Sequence, residues 1–154
     1  ADLLLLATNT MQILPDQSLY FVLIPMLHIG DATAQAIESA GLQRPGLMAT
    51  ASTMEQSFYT DRLRAAGLHP LIPESDDRAE THRIIYEELC CDNTTESSRI
   101  TYESIAQRLV DRGADCLILG CTEVGMLLNG NNVTVPVFDT TLIHCDRALE
   151  AALG

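Results

Sequence analysis

The 154 residues contain no lysine and no tryptophan, and all nine basic side chains are arginines. Against them stand 21 acidic residues, giving a net charge of −12. A surface of that sign repels phosphate backbones and anionic lipid, which argues against nucleic-acid and membrane-surface partners. Long apolar runs are also missing. The run Leu3 to Ala7 falls far short of the ~20 residues a spanning helix needs, and it lacks the basic lead and cleavage pattern of a signal peptide. No C-x₂-C pair occurs, and the histidines (His28, His69, His82, His144) are scattered, so no metal site is expected. Neither a G-x-G-x-x-G nor a G-x-x-x-x-G-K loop is present, which leaves nucleotide binding without support.

What is present describes a globular α/β chain. Apolar residues make up 47% and charged residues 19%, and length alone predicts one domain that buries about 68–70% of its unfolded surface. Five cysteines (Cys90, Cys91, Cys116, Cys121, Cys145) form no regular framework, so free thiols in the reducing cytoplasm are expected. An acidic metabolite remains admissible as a ligand, held by a local cluster of arginines and backbone N–H groups against the global field.

The opening DLLLLATNT is a continuous apolar run ending in small polar residues, as a buried parallel strand does at its tip. Phe21 to Leu27 predicts a second strand, with 11–20 undecided. Asp31 is the expected cap of a helix over 32–40, with Gly41 as its stop. Gly46 to Ala51 predicts a strand, and Ser52 to Glu55 has the capping-box spacing that opens a helix toward Gly67. Strand 68–72, helices 76–89 and 96–112, strand 115–120, strand 133–138 and a helix from Thr140 complete the pattern. Strands alternating with helices imply a parallel sheet covered on both faces, with ligands beyond the strands' C-terminal ends.

Two strand ends carry similar tips, LLLLATNT and LILGCTE. Small residues let backbone approach a ligand, and Thr and Asn supply donors. On spacing alone, Thr8-Asn9-Thr10 is more commonly a turn or cap. Cys116 and Cys145 are assigned to packing. Cys121 differs in sitting past Gly120, before an expected helix start whose N–H groups would lower its pKa from ~8.5 toward neutrality. His144 is expected at the surface or a helix end.

The segments Ala7–Thr10, Leu27–Ala32, Thr53–Gln56, Gly120–Glu123 and Val135–Thr140, in this order and spacing, resemble the aspartate/glutamate racemase family. The resemblance implies a cofactor-independent racemase built from two pseudosymmetric flavodoxin-like domains, each presenting one residue to the substrate α-carbon. Most members carry cysteine where Thr8 stands, and threonine there resembles the L-specific aspartate/glutamate racemases. Carried over, Cys121 and Thr8 form the catalytic pair, with Cys121 the base for the L-isomer. Asn9, Thr10, Thr50, Thr53, Thr122 and Glu123 line the substrate, L-aspartate or L-glutamate, and neither metal nor other cofactor is implied. Thr53 serves equally as part of a helix start, and Glu123 as a first-turn acid.

The same resemblance divides the chain into 1–20, a strand and tip of an incomplete first domain; 21–128, the second α/β domain; and 129–154, a strand and helix returning to the first. It leads to the expectation that an N-terminal stretch is missing, and that the chain is a homo-oligomer or depends on that stretch. A related cysteine-dependent isomerase of another small carboxylate, and a non-catalytic remnant or interaction domain, stand as alternatives.

Overall fold

The computed structural model describes residues 2–13 and 24–154. Its strands are β1 (Leu4–Leu5), β2 (Met26–Leu27), β3 (Pro45–Met48), β4 (Cys116–Leu119) and β5 (Val137–Asp139). Its helices are α1 (Ile29–Ser39), α2 (Ala51–Glu55), α3 (Ser57–Ala65), α4 (Ser75–Glu87), α5 (Glu96–Asp111) and α6 (Thr140–Leu153). The described strands form two parallel sheets, β1–β2 and β3–β4–β5, flanked by helices. The expected fold class, α/β with parallel sheets and helical cover, is the one observed.

The central strand shows why the pattern works. On β4, Leu117 and Leu119 face one way and Cys116 and Ile118 the other, the period of two that a pleated strand imposes. Leu117 and Leu119 join Met48, Ile84, Tyr102, Ile105 and Leu109, the core under α4 and α5. Cys116 and Ile118 join Leu47, Ile29, Ile37, Tyr59 and Leu63 under α1 and α3. Both faces of β4 are therefore dry, which is why it reads as an uninterrupted apolar run. Close packing is enforced by Gly46, where an added Cβ would come within 2.9 Å of Leu117 Cδ2 and 3.1 Å of Leu109 Cδ1.

Several boundaries differ from expectation for identifiable reasons. Helix α1 starts three residues early because His28, not Asp31, caps it: the His28 Nδ1 accepts from the Gly30 N–H at 3.0 Å. Asp31 lies in the first turn, bound to Arg62 at 2.8 Å. The stops at Gly41 and Gly113 hold, with φ of +74° and +96°, conformations that strain a residue with a Cβ. The Ser52–Glu55 capping box does not form. Thr50 is the N-cap of α2, Ser52 accepts from Gln56 Nε2, and Glu55 pairs with Arg78. Gln56, extended at φ −83° and ψ 144°, then breaks the expected single helix into α2 and α3.

Strand 68–72 shrinks to one bridge, Gly46 with Leu71: the Leu71 N–H and carbonyl pair with Pro45 and Leu47, but Pro45 and Pro73, which fall at the neighbouring donor positions of the ladder, have no N–H. The strand expected over 133–138 forms only as β5, starting after Pro136. Of the strand expected from Phe21, residues 21–23 lie outside the described residues and Met26–Leu27 forms β2. Segment 129–154 supplies β5 to the second sheet and lays α6 on α1. His144 on α6 is buried rather than at the surface, its Nε2 2.9 Å from the Leu27 carbonyl oxygen of β2. Among the described residues no helix is long and apolar enough to cross a membrane.

Candidate functional site

The C-terminal ends of β1, β3 and β4 open into one cavity of about 320 Å³. β1 delivers Thr8, Asn9 and Thr10, the last opening a short 3₁₀ turn (Thr10–Ile13). β3 delivers Thr50, and β4 delivers Cys121, Thr122 and Glu123 beyond Gly120. Seven of the eight residues singled out from the sequence thus line one space. The eighth, Thr53, is fully buried behind it. Its hydroxyl lies 3.3 Å from that of Thr10 and 3.1 Å from that of Thr50, and Thr10 and Thr50 are themselves 3.0 Å apart. Thr50 makes no side-chain capping bond to α2 because its hydroxyl is committed to this triangle.

Gly120 makes the approach of β4 to β3 possible. Its N–H donates to the Met48 carbonyl at 2.8 Å, and a Cβ there would sit 2.9 Å from both Ala49 Cβ and Leu47 Cδ1. The next residue, Cys121, is half-buried, and its thiol donates to Glu123 Oε2 at 2.8 Å. Burial first, and then the Glu123 carboxylate, push the Cys121 thiol up to about 12. This corrects the expectation of a lowered pKa. The turn after Cys121 is a three-residue 3₁₀ segment (Val124–Met126), too short to present a helix N-terminus to the sulfur. Burial works to raise Glu123 as well, but the Cys121 thiol and Thr122 hydroxyl donate to it and hold its carboxyl below the usual range. At rest the proton therefore sits on sulfur, and the carboxylate beside it is the acceptor.

Asn9 is buried at the other tip, 4% exposed. Its Nδ2 donates to Thr140 Oγ1 at 2.9 Å, and Thr140 Oγ1 donates to the Leu119 carbonyl at 2.9 Å. A hydroxyl has one proton, and Thr140 spends it on Leu119, so Thr140 must accept from Asn9. That fixes the amide: the NH₂ faces Thr140, and Oδ1 is buried without a hydrogen-bond partner.

The remaining wall comes from residues that sequence reasoning did not single out for the site: Met11, Ile85, Tyr86 and Cys90. Ile85 is legible as a buried helical position, but which end of α4 meets the cavity is a matter of tertiary packing. Tyr86 stands half-exposed at the rim, its ring centroid 4.7 Å from that of His82, whose Nδ1 accepts from the Ala51 N–H at 3.2 Å. No arginine is among the described residues lining the cavity, so the expected arginine cluster is not found there; hydroxyls and the Asn9 side chain are what it offers. Among the described residues no group of three or more His, Cys, Asp or Glu could hold a metal ion.

The five cysteines are unpaired, and Cys145, assigned to packing from the sequence, is exposed on α6. Because the thiolate is the reactive form, Cys121 should not lead in alkylation. With iodoacetamide at about pH 7.5, well below the range in which the Cys121 thiol ionises, Cys91 and Cys145 should label first in the free chain, read by peptide mass spectrometry. Cys121 labelling should rise only toward strongly alkaline pH. Preferential labelling of Cys121 near neutrality would contradict the burial of its sulfur and its contact with the Glu123 carboxylate.

Comparison with known proteins places this geometry in context. A family model described as Asp/Glu/Hydantoin racemase matches residues 1–148. Among solved structures, a Yersinia pestis protein provisionally assigned as an Asp/Glu racemase superposes over 100% of this chain and 67% of its own, with TM-score 0.95 and 41% identity. An aspartate racemase homologue from Pyrococcus horikoshii OT3 superposes over 100% of this chain and 68% of its own, with TM-score 0.90 and 33% identity. An uncharacterized protein in the pnlA 3′ region of Pectobacterium carotovorum subsp. carotovorum is 32% identical over 111 residues, 72% of this chain and 73% of its own. The chain thus spans about two thirds of the length of the two solved chains.

Proposed function

The chain belongs to the Asp/Glu/Hydantoin racemase family, and from that premise we propose that it interconverts the enantiomers of aspartate or glutamate by cofactor-independent removal and return of the α-proton. The observation that carries the reading is the convergence of Thr8 and Cys121, from strands of two different sheets, on one cavity. A racemase needs one proton-transfer group on each face of the α-carbon, and two separately supported strand tips meeting at one cavity support that reading.

In this reading Cys121 first gives its proton to the Glu123 carboxylate it already touches at 2.8 Å. The thiolate removes the α-proton of the L-isomer, the hydroxyl of Thr8 delivers a proton to the opposite face, and as product leaves Glu123 sheds its proton to solvent while Thr8 regains one from it. The developing carbanion is stabilised through the substrate carboxylate by fixed donors, for which the Thr10–Thr50 hydroxyl pair, held by Thr53, is available, joined by Thr122 once Glu123 has taken the Cys121 proton and no longer accepts from it. The unpartnered Oδ1 of Asn9 is an acceptor suited to the substrate's ammonium. A threonine hydroxyl is a far weaker base than a thiolate, so turnover of the bound D-isomer is slower, while kcat/KM, fixed by the equal free energies of the enantiomers, is the same in both directions.

The test is exchange of the α-proton of L-aspartate and L-glutamate in heavy water, followed by proton NMR, with chiral analysis of the product. Loss of the α-signal with appearance of the D-isomer is the expected result, and at saturation kcat from the D-isomer should be lower, with KM lower in proportion. Equal kcat from both isomers at saturating substrate would overturn the assignment of Thr8. No exchange by a folded sample would overturn the racemase reading for this chain.

A further inference from the structure

We propose that Thr140 is a positioning residue for the reaction: its hydroxyl sets the orientation of the Asn9 amide and thereby aims Asn9 Oδ1 at the substrate's ammonium. The inference rests on the amino-acid reading of the site. Thr140 does not line the cavity and is fully buried, at the start of α6 directly after β5. It is nonetheless bonded to both strand tips. It accepts from Asn9 beyond β1 and donates to Leu119, two residues before Cys121 on β4.

The logic is that of a single proton. Were the Thr140 proton not committed to the Leu119 carbonyl, the hydroxyl could donate to Asn9 Oδ1, and the amide could turn its NH₂ toward the cavity. An ammonium ion offers only donors and would then face donors. With the Leu119 carbonyl taking that proton, the amide has one orientation, and the acceptor is the end left over. The cap of α6 belongs to a different residue, Asp139, whose Oδ1 accepts from the N–H groups of Thr141 and Leu142 at 2.9 and 3.1 Å. Helix capping is thereby satisfied without the Thr140 hydroxyl, which leaves that hydroxyl available for the site.

Thr140→Val keeps the branched shape and removes the hydroxyl, Thr140→Ala removes it without the branch should the valine variant not fold, and Thr140→Ser restores it. Binding to the intact chain is measured by calorimetry for two ligand classes: L-aspartate and L-glutamate, and the amine-free diacids succinate and glutarate. The valine or alanine variant should weaken binding of the amino acids about tenfold or more, leave the diacids within about twofold, and be rescued by serine. Equal weakening of both classes would mean that Thr140 only supports the fold, and unchanged amino-acid binding would mean that the amide is held without it; either overturns the proposal. Should the wild-type chain bind neither amino acid, the racemase reading fails, and the amide orientation is still decided by NMR. The Asn9 side-chain NH₂ protons should be protected from exchange in the wild type and in Thr140→Ser, and lose protection in Thr140→Val. Unaltered protection would overturn the orientation itself.

Discussion

Replacing Cys121 with alanine is expected to lower α-proton exchange of the L-substrate by roughly 10²–10⁴-fold, the range for loss of a positioned acid–base group. In the proposed reaction the sulfur beyond β4 takes the substrate's α-proton, and its neighbour Glu123 already accepts from it at 2.8 Å. Alanine leaves the strand intact, because the close approach to β3 is made by Gly120 and not by the side chain after it. The loss should therefore appear in kcat with little change in thermal stability. Retention of exchange within about threefold of wild type would remove Cys121 from the mechanism.

The second large effect concerns stability. Leu117→Ala should lower the free energy of unfolding by about 2–5 kcal/mol, the range for a buried leucine that leaves a cavity. Leu117 is fully buried and pairs on one side with Gly46 of β3 and on the other with Val137 of β5. Gly46 has no side chain to move into the space, so the void cannot be filled from that strand. For a domain with a typical total of about 5–15 kcal/mol, the loss is a large fraction. A urea titration reads it as a fall in midpoint at unchanged slope, and a loss under about 1 kcal/mol would show that α5 collapses onto the vacancy.

These two residues also mark how far the sequence was legible. β4 reads clearly because both its faces are dry, so its apolar run needs no partner to be recognised. The glycine stops read clearly because positive φ is a local property of the backbone. Tips at the ends of β1 and β4 could be named in advance, since small polar residues after an apolar run are a local signal, and the family resemblance joined them to Thr50; β1 itself, expected to be buried, is only partly so, with Leu5 exposed. The features that could not be read were set by tertiary contact. The Cys121 pKa turned on the burial of its sulfur and on where the Glu123 side chain folds back, neither of which has a sequence period. The cap at His28, the break at Gln56 and the cavity wall at Tyr86 likewise depend on packing, and the first two overrode sound local rules for Asp31 and for the Ser52–Glu55 spacing.

The separation of the two described sheets has a consequence for how substitutions are tolerated. No ladder of backbone hydrogen bonds joins β1–β2 to β3–β4–β5 among the described residues. Near the cavity, the hydrogen bonds that register one sheet against the other run instead through an amide and a few hydroxyls: Asn9 to Thr140, and Thr10 to Thr50 and Thr53. Hydroxyls are short and their bonds lapse with a displacement of a few tenths of an ångström. The separation of the Thr8 and Cys121 strand tips that line the cavity is thus a property of the seam and not of either sheet. Replacing Thr10 or Thr50 with valine, a change that an apolar core accepts readily on volume alone, is expected to loosen one sheet against the other at the cavity.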